Sequence, residues 1–154
     1  MVENLEGEIW KDVVGYEGLY QVSNKGRVKS INNYHRKDCV ILKPQLNRFG
    51  YEIVNLYRKR KMRHFFIHKL VAFAFIQNPN NYPQVNHKDE CKTNNNVENL
   101  EWCTAKYNIN YGTRNIRCSL KNKGQKGNVF WNNGVINVRA RECPDGFVRG
   151  IKRK

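Results

Sequence analysis

The chain has little of what usually holds a small secreted or membrane protein together. Its 154 residues include five cysteines (Cys39, Cys91, Cys103, Cys118, Cys143), an odd number with no CxxC pair. That argues against a disulfide framework or a four-cysteine zinc site, and favours reduced thiols in a cytosolic protein. The longest apolar run, Leu70 to Ile76, has seven residues, far below the roughly 20 needed to span a bilayer. The first residues, with Glu3, Glu6 and Glu8, carry neither the basic region nor the apolar stretch of a secretory signal. Acid is scarce too, with 13 Asp+Glu against 28 Lys+Arg and a net charge of +15. Hydrophobic residues at 40% are too many for a disordered chain and few for a large core. One compact domain with short appendages is expected.

The charge is unevenly spread. Residues 1–20 sum to −4, residues 21–69 to +11, residues 70–111 to −1 and residues 112–154 to +9. A near-neutral block thus lies between two strongly basic ones. Nucleic acid is the commonest partner of a soluble basic chain. A ribosome or membrane surface fits the sum equally well, and a solvated basic face needs no partner at all.

Along the chain, Leu19–Val22 and Arg27–Ile31 alternate apolar and polar residues around Ser23-Asn24-Lys25-Gly26, which reads as a hairpin turn. Val40–Leu46 and Tyr51–Tyr57 read as two more strands joined at Asn47–Gly50. Arg58-Lys59-Arg60-Lys61 makes the next tight connection, into a strand over Met62–Ile67. His68–Ile76 is apolar on nearly every side and reads as a short buried helix that Asn78-Pro79 ends. Thr104 caps a second helix running to about Tyr111. Gly112–Asn128 holds five bases, no acid and three glycines, and reads as an extended basic linker. Val129–Gly150, with turn signals at Asn132-Asn133-Gly134 and Pro144-Asp145-Gly146, reads as a hairpin-like module.

The fold class expected is therefore α+β, in four segments. These are a small antiparallel β unit over 1–66, a core over 67–111, the linker over 112–128 and a C-terminal mini-module over 129–154.

The chemistry sits in Pro83–Tyr111, where Asn is crowded. Asn86 and His87 follow Val85 at a strand-to-loop position, Asn99 comes twelve residues after His87, and Asn108 nine later on the second helix. Hydrolysis of a phosphodiester needs a base to activate water, a cation to absorb developing charge, and ligands for that cation. Histidine suits the first role at neutral pH. Asn or Asp oxygens suit Mg²⁺ or Mn²⁺, hard ions bound through one or two protein oxygens.

His87, Asn99 and Asn108, within NHKDECKTNNNVENLEWCTAKYNIN, resemble the HNH signature of phage and intron-encoded homing endonucleases with a ββα-metal (His-Me finger) active site. The preceding HKLVAFAFI is similar to the helix leading into that motif. EIWKDVVGYEGLYQVSNKGRVKSI resembles the nuclease-associated modular DNA-binding element found N-terminal to such domains. The matching stretches cover roughly residues 8–31 and 67–111, and FWNNGVINVRARECPDGFVRG resembles C-terminal modules of phage endonucleases more weakly.

The resemblance implies a metal-dependent DNA endonuclease, nicking or cutting both strands, with one Mg²⁺ or Mn²⁺ per site. It implies double-stranded DNA as partner, a monomer or weak homodimer, and the cytoplasm of a bacterium or phage-infected cell. His87 is then the general base, Asn99 holds the loop and orients His87, and Asn108 and Asn86 are the metal ligands. Better-known nicking enzymes of the family have Asp where this chain has Asn86. Two neutral amides imply weak metal binding without DNA, and Asp89 is the alternative ligand. A catalytically weak DNA-binding regulator retaining the nuclease fold is the second reading, and an RNA- or ribosome-binding basic protein the third.

Phosphate contacts are expected from Arg27, Lys29, Arg58, Lys59, Arg60 and Lys61 in the β unit. Arg114, Arg117, Lys121, Lys123 and Lys126 in the linker are expected to make them too. Arg139, Arg141 and Arg149 in the C-terminal module are expected to reach base edges. Asn94-Asn95-Asn96 reads as turn hydrogen bonding. His68 reads as packing its helix, and Leu100, Trp102, Tyr16, Tyr20 and Trp10 as core. His35 and His64 carry no signal.

Overall fold

A computed structural model describes residues 3–31, 39–113, 129–132, 137–140 and 148–149. It divides into two compact units, Met1–Asn108 and Ile109–Lys154. All strand pairs are antiparallel. No helix among the described residues is long and apolar enough to cross a membrane.

In the first unit, β1 (Trp10–Asp12), β2 (Tyr20–Ser23), β3 (Val28–Ser30) and β4 (Val40–Ile41) form a four-stranded sheet in chain order. The expected hairpin turn is there: Gly26 has φ +82, and Ser23 closes the turn by pairing with both Gly26 and Arg27. The strand expected over Val40–Leu46 is instead two. β4 pairs with β3, whereas β5 (Gln45–Leu46) joins a separate sheet with β6 (Glu52–Arg58) and β7 (Lys61–Phe66). Pro44 lies between the two pieces; it has no N–H to donate to a ladder, so the chain leaves one sheet there and enters the next.

The β6–β7 turn is a two-residue loop in which Lys59 and Arg60 have φ +50 and +61. That twist matches the flanking strands, but glycine and asparagine adopt it at lower cost than long cations do.

Strand β7 runs straight into α1 (Ile67–Phe75), whose Ile67, His68, Leu70, Val71 and Ala72 are buried. Phe73 is 64% exposed, so the helix is amphipathic rather than buried all round. β8 (Gln84–His87) and β9 (Leu100–Cys103) form a two-stranded ribbon. A single 3-10 turn over Val97–Asn99 precedes β9, and α2 (Ala105–Asn110) follows it. Thr104 caps α2 as expected, accepting the Tyr107 N–H on its Oγ1 at 3.1 Å.

One core joins these pieces. Val22 and Val28 of the first sheet, with Val13 and Tyr16 of the β1–β2 connection, pack with Val54, Leu56, Ile67, Leu70, Val71, Val85 and Leu100. Burying each such side chain contributes about 1.5–3 kcal/mol. The boundary expected at residues 66/67 therefore divides the sequence but not the packing.

In the second unit, β10 (Val129–Asn132) pairs with β11 (Asn137–Ala140) and with β12 (Val148–Arg149), in the order β11-β10-β12. The linker beyond residue 113 lies outside the described residues, and with it Arg114, Arg117, Lys121, Lys123 and Lys126; so does Arg141.

The hairpin turn of the first sheet touches the loop between β8 and β9. A Cβ added at Gly26 would stand 2.8 Å from Asn95 Cβ and 3.1 Å from Asn95 O, and Val97 N–H donates to Asn24 O at 2.9 Å. Gly26→Ala should therefore cost about 2–4 kcal/mol in urea unfolding, combining left-handed strain with a backbone clash. Gly18→Ala, at φ +72 with no atom within 4 Å, should cost only about 1 kcal/mol.

Candidate active site

Strand alternation sorts the ribbon's side chains onto two faces. Val85 and His87 share one with Leu100 and Trp102, and Gln84 and Asn86 share the other with Glu101 and Cys103. His87 is 5% exposed and wedged among rings: His68 lies edge-on at 5.0 Å between centroids, and Tyr51 at 6.0 Å. Burial pushes its pKa below the usual imidazole range; the hydrogen bond to Asn95 and the charge of Asp89 pull partly the other way. The ring is thus neutral at neutral pH, the state a base requires.

The partner of His87 is Asn95, with Oδ1 3.2 Å from Nε2. Asn95 in turn donates its Nδ2 to Glu52 Oε2 at 2.7 Å, across 43 residues of sequence. Asn99 acts elsewhere. Its Oδ1 accepts the Asp89 N–H at 3.0 Å, its Nδ2 donates to Asp89 Oδ1 and Asn94 O at 2.8 Å, and its backbone O accepts the Lys88 N–H. Asn99 therefore knits the loop, while direct contact with the imidazole falls to Asn95, one of the three asparagines read as turn chemistry. Asp89 also accepts from Asn94 Nδ2 and from the Cys91 N–H. These donors, Asn94 first, hold its carboxyl below the usual range and commit it to the loop.

On the opposite face, Asn86 and Asn108 are brought into one polar strip. Asn86 donates Nδ2 to Glu101 Oε1 at 2.8 Å, and Asn108 donates Nδ2 to Gln84 Oε1 at 2.8 Å. A carboxylate only accepts, so the Asn86 amide must turn its NH₂ toward Glu101, leaving Oδ1 out of that bond. Two amides that spend their donors on neighbours present oxygens, and one carboxylate stands beside them. That donor set fits a hard divalent ion. Among the described residues no group of three or more His, Cys, Asp or Glu could hold a metal ion, which a soft or tetrahedral site would need.

The expected phosphate contacts divide. Arg27 is committed internally, with Nε 3.1 Å from Glu8 Oε1 and Nη2 donating to Glu3 O at 2.9 Å. Lys29 Nζ sits over the Trp10 ring at 4.1 Å. Arg58 donates to Gly15 O, and together with Lys59, Lys61 and Arg63 it lines a cleft completed by Val14, Gly15, Tyr16 and Phe65. Arg60 lies at the exposed tip beside them. Arg63 belongs to this group by strand register, which its place in an alternating strand could have revealed. Arg139 and Arg149 lie on β11 and β12.

A buried histidine ends β8, asparagines knit the loop that follows, and Asn108 stands on the helix after β9, so His87, Asn99 and Asn108 are carried in that order on a β-β-α arrangement. Comparison with known proteins bears on that arrangement. Residues 8–57 match the family described as the NUMOD4 motif. DNA endonuclease I-HmuI of Bacillus phage SP01 is 41% identical over 111 residues, covering 70% of this chain and 61% of its own length. The uncharacterized HNH endonuclease L245 of Acanthamoeba polyphaga mimivirus is 36% identical over 132 residues, covering 71% of this chain and 38% of its own. This chain thus spans less than two thirds of these curated relatives. A solved structure of DNA binding and cleavage by the HNH homing endonuclease I-HmuI superposes with a TM-score of 0.58 at 33% identity, covering 86% of this chain and 78% of that one. The chain belongs to the HNH endonuclease family.

Two stability predictions follow from the geometry. His68 is buried, with its Nδ1 lacking a hydrogen-bond partner among the described residues, and burial lowers its pKa to about 3. Below about pH 6.5 the unfolded chain takes up a proton that the folded chain refuses. Stability should therefore fall as pH drops from 6.5, by about 2 kcal/mol at pH 5. His68→Leu should lessen the fall in urea midpoint between pH 7 and 5, the remainder coming from His87, whose pKa burial also lowers. Asn86→Asp should destabilise by about 1–3 kcal/mol, because it replaces the donor to Glu101 with a like charge. Adding Glu101→Gln should recover most of that loss in the same assay.

Proposed function

We propose that this protein is a metal-dependent DNA endonuclease, with β8, β9 and α2 as a ββα-metal core and His87 as general base. The observation that carries the reading is a neutral, buried His87 held by Asn95, backed across the same ribbon by amide oxygens suited to a hard cation. Membership of the HNH family supports the reaction class.

Asn86 and Asn108 would hold the ion, with Glu101 fixing Asn86. When bound, a Mg²⁺ or Mn²⁺ ion supplies charge neutralisation at the phosphate. His87 takes a proton from water, and the water oxygen forms the new bond to phosphorus. The bond to the leaving 3′ oxygen breaks, that oxygen keeps the electron pair and takes a proton from solvent, and the products end in 5′-phosphate and 3′-hydroxyl. Asn99 and Asp89 keep the loop in one shape meanwhile. One site per chain fits a single-strand cut by each copy.

Duplex DNA is the proposed partner. Lys59 and Arg60 occupy left-handed positions that asparagine and glycine fill more cheaply, so two cations at that tip speak for charge rather than turn preference. Arg58, Lys61 and Arg63 extend the same basic surface.

Plasmid relaxation with Mg²⁺ or Mn²⁺ tests the chemistry: His87→Ala should lower the rate by about 10²–10⁴-fold. Equal cutting by both proteins, or none by either with any metal, overturns the assignment. For binding, the Lys59→Asn/Arg60→Gly double variant should keep the hairpin. In fluorescence anisotropy titrations on duplex DNA, it should reduce the slope of log K against log salt by about two.

A further inference from the structure

Resting on the reading of His87 as base, we propose that Glu52 and Asn95 are positioning residues that hold His87 as its Nε2–H tautomer, so that Nδ1 is the nitrogen that takes the proton from water. The argument is one of donors and acceptors in series. Glu52 Oε2 lies 2.7 Å from Asn95 Nδ2, and Asn95 Oδ1 lies 3.2 Å from His87 Nε2. A carboxylate can only accept, so the edge of the amide facing Glu52 is its NH₂. The opposite edge is then the carbonyl, which also can only accept. The ring nitrogen facing it must carry the hydrogen, and a neutral imidazole has only one to give. The lone pair is left on Nδ1.

The chain of bonds is held stiffly. Asn95 is 4% exposed, and its Cβ abuts Gly26 so closely that no side chain fits there. The neighbouring Val97 N–H is tied to Asn24 O. The ring itself is flanked by Tyr51 and His68. Glu52 sits on β6, next to Tyr51, so one short strand segment both walls the ring and sets its hydrogen. When Nδ1 takes a proton from water, the Nε2–H bond to Asn95 remains in place and strengthens as the ring becomes cationic, because Glu52 lies at the far end of the chain. Without Glu52 the amide NH₂ keeps only the long bond to Thr93 O at 3.4 Å, so its orientation is held weakly and the other tautomer becomes accessible.

The decisive variant is Glu52→Gln, which keeps size and hydrogen-bonding capacity but offers Asn95 either a donor or an acceptor. Long-range ¹H–¹⁵N correlation on the labelled full-length protein at neutral pH should show His87 with a protonated Nε2 and a bare Nδ1. In Glu52→Gln the two nitrogens should shift toward a tautomer mixture. In plasmid cleavage, kcat should fall about 10- to 100-fold with KM for DNA unchanged, while the thermal midpoint stays within a few degrees. A protonated Nδ1 in the unsubstituted protein overturns the proposal. So do an unshifted spectrum and unchanged kcat in the variant. Should Glu52→Gln fail to fold, the spectrum of the unsubstituted protein still decides. The spectra need no turnover, so a protein that cuts no DNA would refute the nuclease reading while leaving the tautomer assignment to stand or fall separately.

Discussion

An uncharged imidazole held in a nearly enclosed position is the constraint on which the rest of this structure depends. Burying His87 costs its solvation, and that cost is tolerable only where the ring finds a fixed hydrogen-bond partner. Asn95 is that partner, and it can serve only if the loop between β8 and β9 has a single shape. Asp89 and Asn99 give the loop its inner bracing, through side-chain bonds to each other and to Asn94. The hairpin turn at Gly26 gives it an outer wall. Sheet, ribbon and loop thus share one purpose, which explains why a single core runs through segments that look separable in sequence.

Electrostatics follow a different logic on each face of the β8–β9 ribbon. The His87 face is apolar and neutral, lined by Leu100 and Val85 and by the rings of Tyr51 and His68. The Asn86 face is a strip of amide groups beside Glu101. Separating the two by the thickness of a strand lets an imidazole and an amide occupy successive residues without sharing an environment. Lys88 and Lys92 are the cations of the loop itself. Lys92 is turned aside to the Phe49 carbonyl and the Tyr51 ring.

What could be read in the sequence was what is local. The hairpin around Gly26, the helix after β7, the Thr104 cap and the order Asn86-His87, Asn99, Asn108 all lie within short stretches whose spacing carries their meaning. What could not be read depends on register between distant segments. Asn95 looks like one more turn asparagine until Glu52 is folded onto it. Glu101 looks like a surface acid until the ribbon pairs it with Asn86. Arg27 reads as a phosphate ligand because its strand is basic, and the Glu8 that folding brings within 3.1 Å of it is nineteen residues away and gives no local signal. Pro44 did announce the break between β4 and β5, and a continuous strand there overlooked its missing N–H.

The wall that Gly26 provides has an evolutionary corollary. Modular nucleases are commonly pictured as cassettes, in which a DNA-binding element and a cutting element are shuffled by recombination. Here the N-terminal hairpin and the loop after β8 support one another, with Asn24 and Gly26 on one side of the contact and Asn95 and Val97 on the other. A crossover that replaced the first 60 or so residues with an unrelated reader would also remove Glu52 and the turn behind Asn95. Exchange of that stretch would therefore alter the surroundings of His87 together with the basic turn at Lys59 and Arg60.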